Sequence, residues 1–141
     1  MKLAHDIGEL SNSKNVVRLI RGHMGRQDQE IFVCVMLDMR GQLRDFVEVA
    51  RGQRHRVATD IEDIIRPIIL SGCDTAIVAH CHPSGKAEPS EADDELTLAI
   101  KKGMAVACPA TKFGDHLVVT PFESYSFADN EWKGDGKVIK A

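Results

Sequence analysis

At 141 residues, with 43% hydrophobic and 28% charged residues, the chain has the size and balance of one globular domain able to bury a core. A formal charge of −3 argues against nucleic acid as the general class of partner. No apolar run approaches the roughly 18 residues of a membrane-spanning helix, and Met1 to Glu9 has no apolar stretch of the secretory kind, so a cytoplasmic protein with reduced thiols is expected.

The four cysteines fit that setting: Cys34, Cys73, Cys81 and Cys108 form no Cys-x-x-Cys pair, which disfavours a structural zinc knuckle. Cys34 and Cys108 lie in apolar runs and read as small core residues. No repeat or linker divides the chain, so residues 1–141 are expected to form a single domain. Residues 1–26 read as a helical lead and residues 130–141 as a flexible tail.

In chain order, Val16, Val17, Leu19 and Ile20 recur at near-helical spacing between Ser13 and Gly25 and predict an amphipathic helix. Ile31 to Asp38 is a β-rich run, Arg40-Gly41 a turn, and Leu43 to Ala50 the second strand of a hairpin. Thr59-Asp60-Ile61-Glu62 has the form of a capping box ahead of a helix to Leu70, which Pro67 should kink or shorten and Gly72 should end. Thr75 to Ala79 reads as a short buried strand. Ser90 caps a helix predicted from Glu91 to Lys102, with Gly103 as its stop, and strands are expected near Leu117 to Thr120 and Ser124 to Phe127. The residues after Trp132 look loosely ordered. These elements together predict an α+β fold, an α-β-α sandwich on a mixed, mainly antiparallel sheet.

The chemistry concentrates where the third strand ends. His80 and His82 are two residues apart, and Asp93 follows eleven residues after the second. Alternation along a strand points both imidazoles the same way and sends Cys81 to the opposite face. Two neutral imidazoles and a carboxylate, with a fourth position free for water, form the ligand set of a catalytic zinc rather than a structural one. Each piece has an ordinary alternative. A His-x-His arises by chance, and Ser90 with Asp93 also describes a helix N-cap with an acidic first turn. The joint pattern of His, His, Ser and Asp at these offsets favours the metal. Spacing alone does not say which glutamate would act as base.

His80-x-His82, seven residues, Ser90, two residues and Asp93 resembles the motif of the JAMM (MPN+, JAB domain) metalloproteases. Within that superfamily the chain looks most like the RadC-like branch, on His82-Pro83-Ser84-Gly85, Pro89-Ser90, Asp115-His116 and Tyr125-Ser126-Phe127. The resemblance spans about residues 30–127 and implies a zinc metallopeptidase held by His80, His82 and Asp93. It implies that Glu30, at the start of an early strand, is the general base, and that Ser90 stabilises the oxyanion. The implied substrate is a protein or peptide, with cleavage at the C-terminus of a ubiquitin-like protein or its conjugates. Three departures stand out. The helical lead is short where full-length relatives carry a helix-hairpin-helix region, Cys81 replaces the usual Asn, and Met104 to Gly114 is longer than usual. That stretch is either a substrate-facing loop or a surface insertion. Asp115 and His116 are expected to anchor a strand rather than extend the site.

Two other functions compete. A DNA-related role would draw on the basic cluster Arg51-Gly-Gln-Arg-His-Arg56, which equally describes a solvated loop. A non-catalytic MPN scaffold would have no need of Glu30, His80, His82, Ser90 and Asp93 together.

Overall fold

The computed structural model describes residues 13–24, 30–52, 60–82, 85–130 and 138–140. The elements run α1 (Ser13–Met24), β1 (Ile31–Leu37), β2 (Leu43–Arg51), α2 (Ile61–Ser71), β3 (Thr75–Cys81), α3 (Glu91–Ala107), β4 (Lys112–Val119), β5 (Glu123–Ser126), α4 (Phe127–Asn130) and β6 (Val138–Lys140). Six strands form one mixed sheet in the order β2-β1-β3-β4-β5-β6, in which β3 and β4 are the parallel pair and the other neighbours are antiparallel. The parallel pair needs a crossover, and α3 supplies it. No helix among the described residues is long and apolar enough to cross a membrane.

The period-2 pattern of the strands sorts the core into two layers. Val33, Val35 and Leu37 of β1, Ile77, Ala79 and Cys81 of β3, and Leu117 and Val119 of β4 pack against Val16, Val17, Leu19, Ile20 and Met24 of α1. The intervening residues Phe32, Cys34, Met36, Ala76 and Val78 pack against Ile64, Ile65 and Ile68 of α2 and Ile100 and Met104 of α3. β1 is buried on both faces along its whole length, which is why its sequence is an unbroken apolar run. Each of these large side chains contributes about 1.5–3 kcal/mol by leaving water. The β1–β2 turn is closed by Asp38, whose Oδ1 accepts from Arg40 N (2.8 Å) and Gln42 N (3.0 Å), with Gly41 at φ 75°.

Three local expectations are corrected by tertiary packing. Pro67 does not shorten α2, which continues to Ser71, because Ile64, Ile65 and Ile68 anchor both sides of it; the carbonyl that the proline leaves free belongs to exposed Asp63, where water can satisfy it. Gly103 does not stop α3, which runs to Ala107. A Cβ on Gly103 would lie 2.3 Å from Ile65 Cδ1, so α2 and α3 approach closely at this glycine. Met104 to Gly114 is no loop beside the site: it comprises the last turn of α3, a turn, and the first residues of β4, whose Lys112 pairs with Thr75 at the far end of β3 from His80.

Gly72 ends α2 as expected, in the left-handed conformation (φ 64°) with its N–H on the Ile69 carbonyl (3.2 Å). The Thr59 half of the expected capping box lies outside the described residues, and the N-cap Asp60 makes no side-chain cap bond. Of the expected loose tail, residues 131–137 lie outside the description, while Val138–Lys140 pair with β5. Of the basic cluster, Arg51 ends β2 and pairs with Glu48 at 2.6 Å, and residues 53–56 lie outside the description.

Asp115 is an anchor. Its Oδ1 accepts from His116 N (2.7 Å) and Ala128 N (2.9 Å), and its Oδ2 accepts from the Ser126 hydroxyl, so one buried carboxylate ties β5 and α4 to β4. Burial pushes its pKa up to about 6, against the pull of those three donors.

Candidate metal centre

β1 and β3 run antiparallel, with Ile31 opposite Cys81 and Phe32 opposite His80. The start of β1 therefore lies beside the end of β3, and Glu30, one residue before β1, shares a sheet face with Phe32, His80 and His82. Its backbone carbonyl accepts from Gly52 N at 2.9 Å, which fixes that end against β2. His82 is pinned next to β4 by its N–H on the Val119 carbonyl (2.8 Å). Cys81 faces the other way, 1% exposed in the α1 layer, where burial pushes its thiol up to about 12; it does not face the site.

α3 delivers the fourth side chain. Ser90 is its N-cap, in extended conformation (φ −110°, ψ 169°), and Asp93 is the third residue in. The Ser90 hydroxyl accepts from Asp93 N (3.2 Å) and donates to Asp93 Oδ2 (3.0 Å), and the Ser90 N–H donates to the same oxygen (2.9 Å). This capping box holds the carboxylate rigidly and leaves Oδ1 to face the histidines. Ser90 is exposed, whereas Asp93 is 5% exposed.

The buried side chains converge on His80. Its Nδ1 is 3.4 Å from Asp93 Oδ1 and 3.3 Å from His82 Nε2, and its Nε2 is 3.2 Å from Glu30 Oε2. The two imidazoles meet edge-on, with ring centres 4.4 Å apart. Burial favours a neutral His80, but the carboxylates of Asp93 and Glu30 overcome it and raise its pKa. His82 is lowered, by burial and then by neighbouring His80. Burial would raise Asp93, but hydrogen bonds and charge from His80, with the Ser90 bonds, hold it well below the usual carboxylate range. The cluster thus brings together nitrogen and oxygen donors of the kind a divalent cation takes.

Two separations to His80 Nδ1 match those around a small tetrahedral ion. Ligand atoms about 2.0–2.2 Å from such an ion stand roughly 3.3–3.5 Å apart. The His82–His80 and His80–Asp93 separations are 3.3 and 3.4 Å. Among the described residues, the donor atoms of Glu30, His80 and His82 all lie within 4.8 Å of one another. One imidazole cannot turn both nitrogens to the same ion. Nδ1 of His80 gathers His82 and Asp93, and Glu30 stands on its Nε2 side. Glu30 is a 6% exposed carboxylate beside the two histidines, near enough to His82 for one water to bridge.

Two neighbours of this group were not legible as such. His116, expected only to anchor a strand, is fully buried on the site's face of β4, and its Nδ1 lies 2.6 Å from the Thr97 hydroxyl of α3. Thr97, one turn after Asp93, drew no attention in the sequence. The available signal was the spacing of Asp93 and Thr97, i and i+4 on one helix face.

Comparison with known proteins shows the family. A family model described as a RadC-like JAB domain matches residues 10–132. A UPF0758 protein of Burkholderia cenocepacia is 35% identical over 113 residues, covering 80% of this chain and 43% of that protein. UPF0758 proteins of Burkholderia mallei (37% identical over 109 residues, 77% of this chain and 38% of theirs) and Burkholderia thailandensis (36% over 109 residues, 77% and 41%) are similar. This chain matches about two-fifths of the length of these relatives. On the strength of that match, the chain belongs to the RadC-like JAB domain family.

Proposed function

We propose that this domain is a zinc-dependent metallopeptidase that hydrolyses a peptide or isopeptide bond at the C-terminus of a ubiquitin-like protein or its conjugates. The observation that carries the reading is the meeting of buried Glu30 with His80 at 3.2 Å, in one cluster with His82, while Asp93 from a different element reaches His80 at 3.4 Å. His80, His82 and Asp93 would hold the ion. When bound, zinc supplies Lewis acidity, lowering the pKa of a water toward neutrality and polarising a carbonyl.

The chain's own residues do the rest. Glu30 takes the proton of the attacking water and later hands it to the leaving nitrogen, the work of a positioned general base and acid. The exposed Ser90 hydroxyl swings from Asp93 Oδ2 to donate to the oxyanion, while the Ser90 N–H keeps its bond to Asp93. The substrate class rests on the family resemblance, and that of the longer relatives is part of the proposal.

Metal analysis of the purified protein tests the reading. About one zinc per chain is expected for the native sequence, with loss on His80→Ala, His82→Ala or Asp93→Asn. A chain that takes up no zinc on reconstitution contradicts it.

A further inference from the structure

Asp93 is held at two levels. Its side chain and N–H are tied to Ser90, and its carbonyl is tied one turn later, where Thr97 Oγ1 donates to it at 2.8 Å. That bond commits the only proton of the Thr97 hydroxyl. Toward His116 Nδ1, at 2.6 Å, Oγ1 therefore has only lone pairs to offer, and the imidazole must be the donor. His116 is thus fixed as the tautomer protonated on Nδ1. Its Nε2 is a bare acceptor, buried and with no hydrogen-bond partner among the described residues.

The ring is firmly seated. It stacks on Phe127 with centres 4.7 Å apart and planes at 12°, and it lies 6.1 Å from Phe32, whose own centre is 6.3 Å from His80. Burial pushes His116 down to about 4, so it is neutral at physiological pH. Its direction depends on a bulge. Ala76 pairs with Phe113 but Ile77 pairs with Asp115, leaving Gly114 as the additional residue. A Cβ on Gly114 would lie 2.8 Å from Thr75 Cγ2. Without the bulge every later side chain of β4 would change faces, and His116 would point into the α1 layer.

Valine and leucine in these two places would fill the same space and leave no orphaned nitrogen, so the polar pair costs stability that packing alone would avoid. What the pair adds is direction. Apolar contact lets a helix slide or roll on a sheet by fractions of an ångström, whereas a 2.6 Å bond from β4 fixes one point of α3. That point is one turn from Asp93.

We infer that Thr97 and His116 are a positioning pair that holds the first turn of α3, and with it Asp93 and Ser90, at the reach set by His80 and His82 on β3. The inference rests on the zinc reading of the site. It concerns the precision of the ligand cage rather than the identity of the ligands.

Cobalt(II) uptake by the whole chain tests it, read by visible absorption and by competition with a chelator, in the native sequence, Thr97→Val and Thr97→Ser. Valine matches threonine in shape and lacks the hydroxyl, and serine keeps the hydroxyl. Thr97→Val is expected to bind cobalt about 10- to 100-fold more weakly with an altered ligand-field band, and Thr97→Ser is expected to restore both. Thermal unfolding of the metal-free proteins checks that all three fold. Equal affinity and spectrum for native and Thr97→Val overturns the inference, as does a serine variant as weak as valine. If the native chain takes up no cobalt, the zinc reading itself falls. If it binds cobalt and Thr97→Val is unchanged, only the positioning role falls.

Discussion

Glu30 Oε2 and His80 Nε2 meet 3.2 Å apart across neighbouring antiparallel strands, although the residues are fifty positions apart in the chain. The contact has two consequences. It sets the orientation of the His80 ring, and so which nitrogen faces His82 and Asp93. It also places a second buried carboxylate, besides Asp93, against the histidine pair.

Metal removal should unload the fold as well as the site. Two carboxylates and two imidazoles meet in one small space, so a bound ion would relieve the repulsion between the carboxylates. At free zinc one hundredfold above its dissociation constant, the gain is about 2.7 kcal/mol, or roughly 8 °C in midpoint for a chain of this size. Melting curves with zinc and with chelator should differ by that order in the native protein and coincide in His82→Ala. Coincident curves in the native protein would count against a metal centre.

Gly103→Ala should destabilise, the reverse of its usual effect within a helix. An exposed helical glycine gains about 1 kcal/mol from alanine. Here the new Cβ would sit 2.3 Å from Ile65 Cδ1, and relieving that overlap should cost about 1–3 kcal/mol. The added change Ile65→Val, which removes the colliding methyl, should recover part of the loss. Urea unfolding of the three proteins checks this, and a more stable Gly103→Ala would refute the tight helix contact.

Asp115 should leave a signature in the pH dependence of stability. Its folded pKa, about 6, lies above the unfolded value of 3.8, so the folded state binds the extra proton between those values. The stability this provides is fully present below 3.8 and is lost as pH rises through 6, by up to about 3 kcal/mol. Asp115→Asn lacks the titration. The stability of the native protein relative to this variant should therefore fall between pH 4 and 6 and be flat above 7. A difference independent of pH would show that the three hydrogen bonds cancel the effect of burial.

Much of the site was legible because its parts are local. His80 and His82 alternate on one strand, and Ser90 and Asp93 cap one helix, so spacing alone groups them. Glu30 was placed only by family resemblance, since its position depends on the pairing of Ile31 with Cys81, a register no local pattern states. His116 was read as structural because its direction is set by one bulge at Gly114, which depends on Thr75 and Ile77 across the sheet. Gly103 and Pro67 were misread for a related reason: helix propensity marks both as breakers, and burial of Ile64, Ile65 and Ile68 overrides it.

The central claim is that Glu30 is the base of an amide hydrolase rather than only the partner that orients His80. Glu30→Gln separates the two, because glutamine can still accept from His80 Nε2 but cannot take a proton from water. The measurement is zinc content and single-turnover cleavage of a ubiquitin-like fusion by native and Glu30→Gln protein, side by side. The account predicts about one zinc per chain in both, with cleavage at least about 100-fold slower in the variant. Equal cleavage by the two zinc-loaded proteins would contradict it.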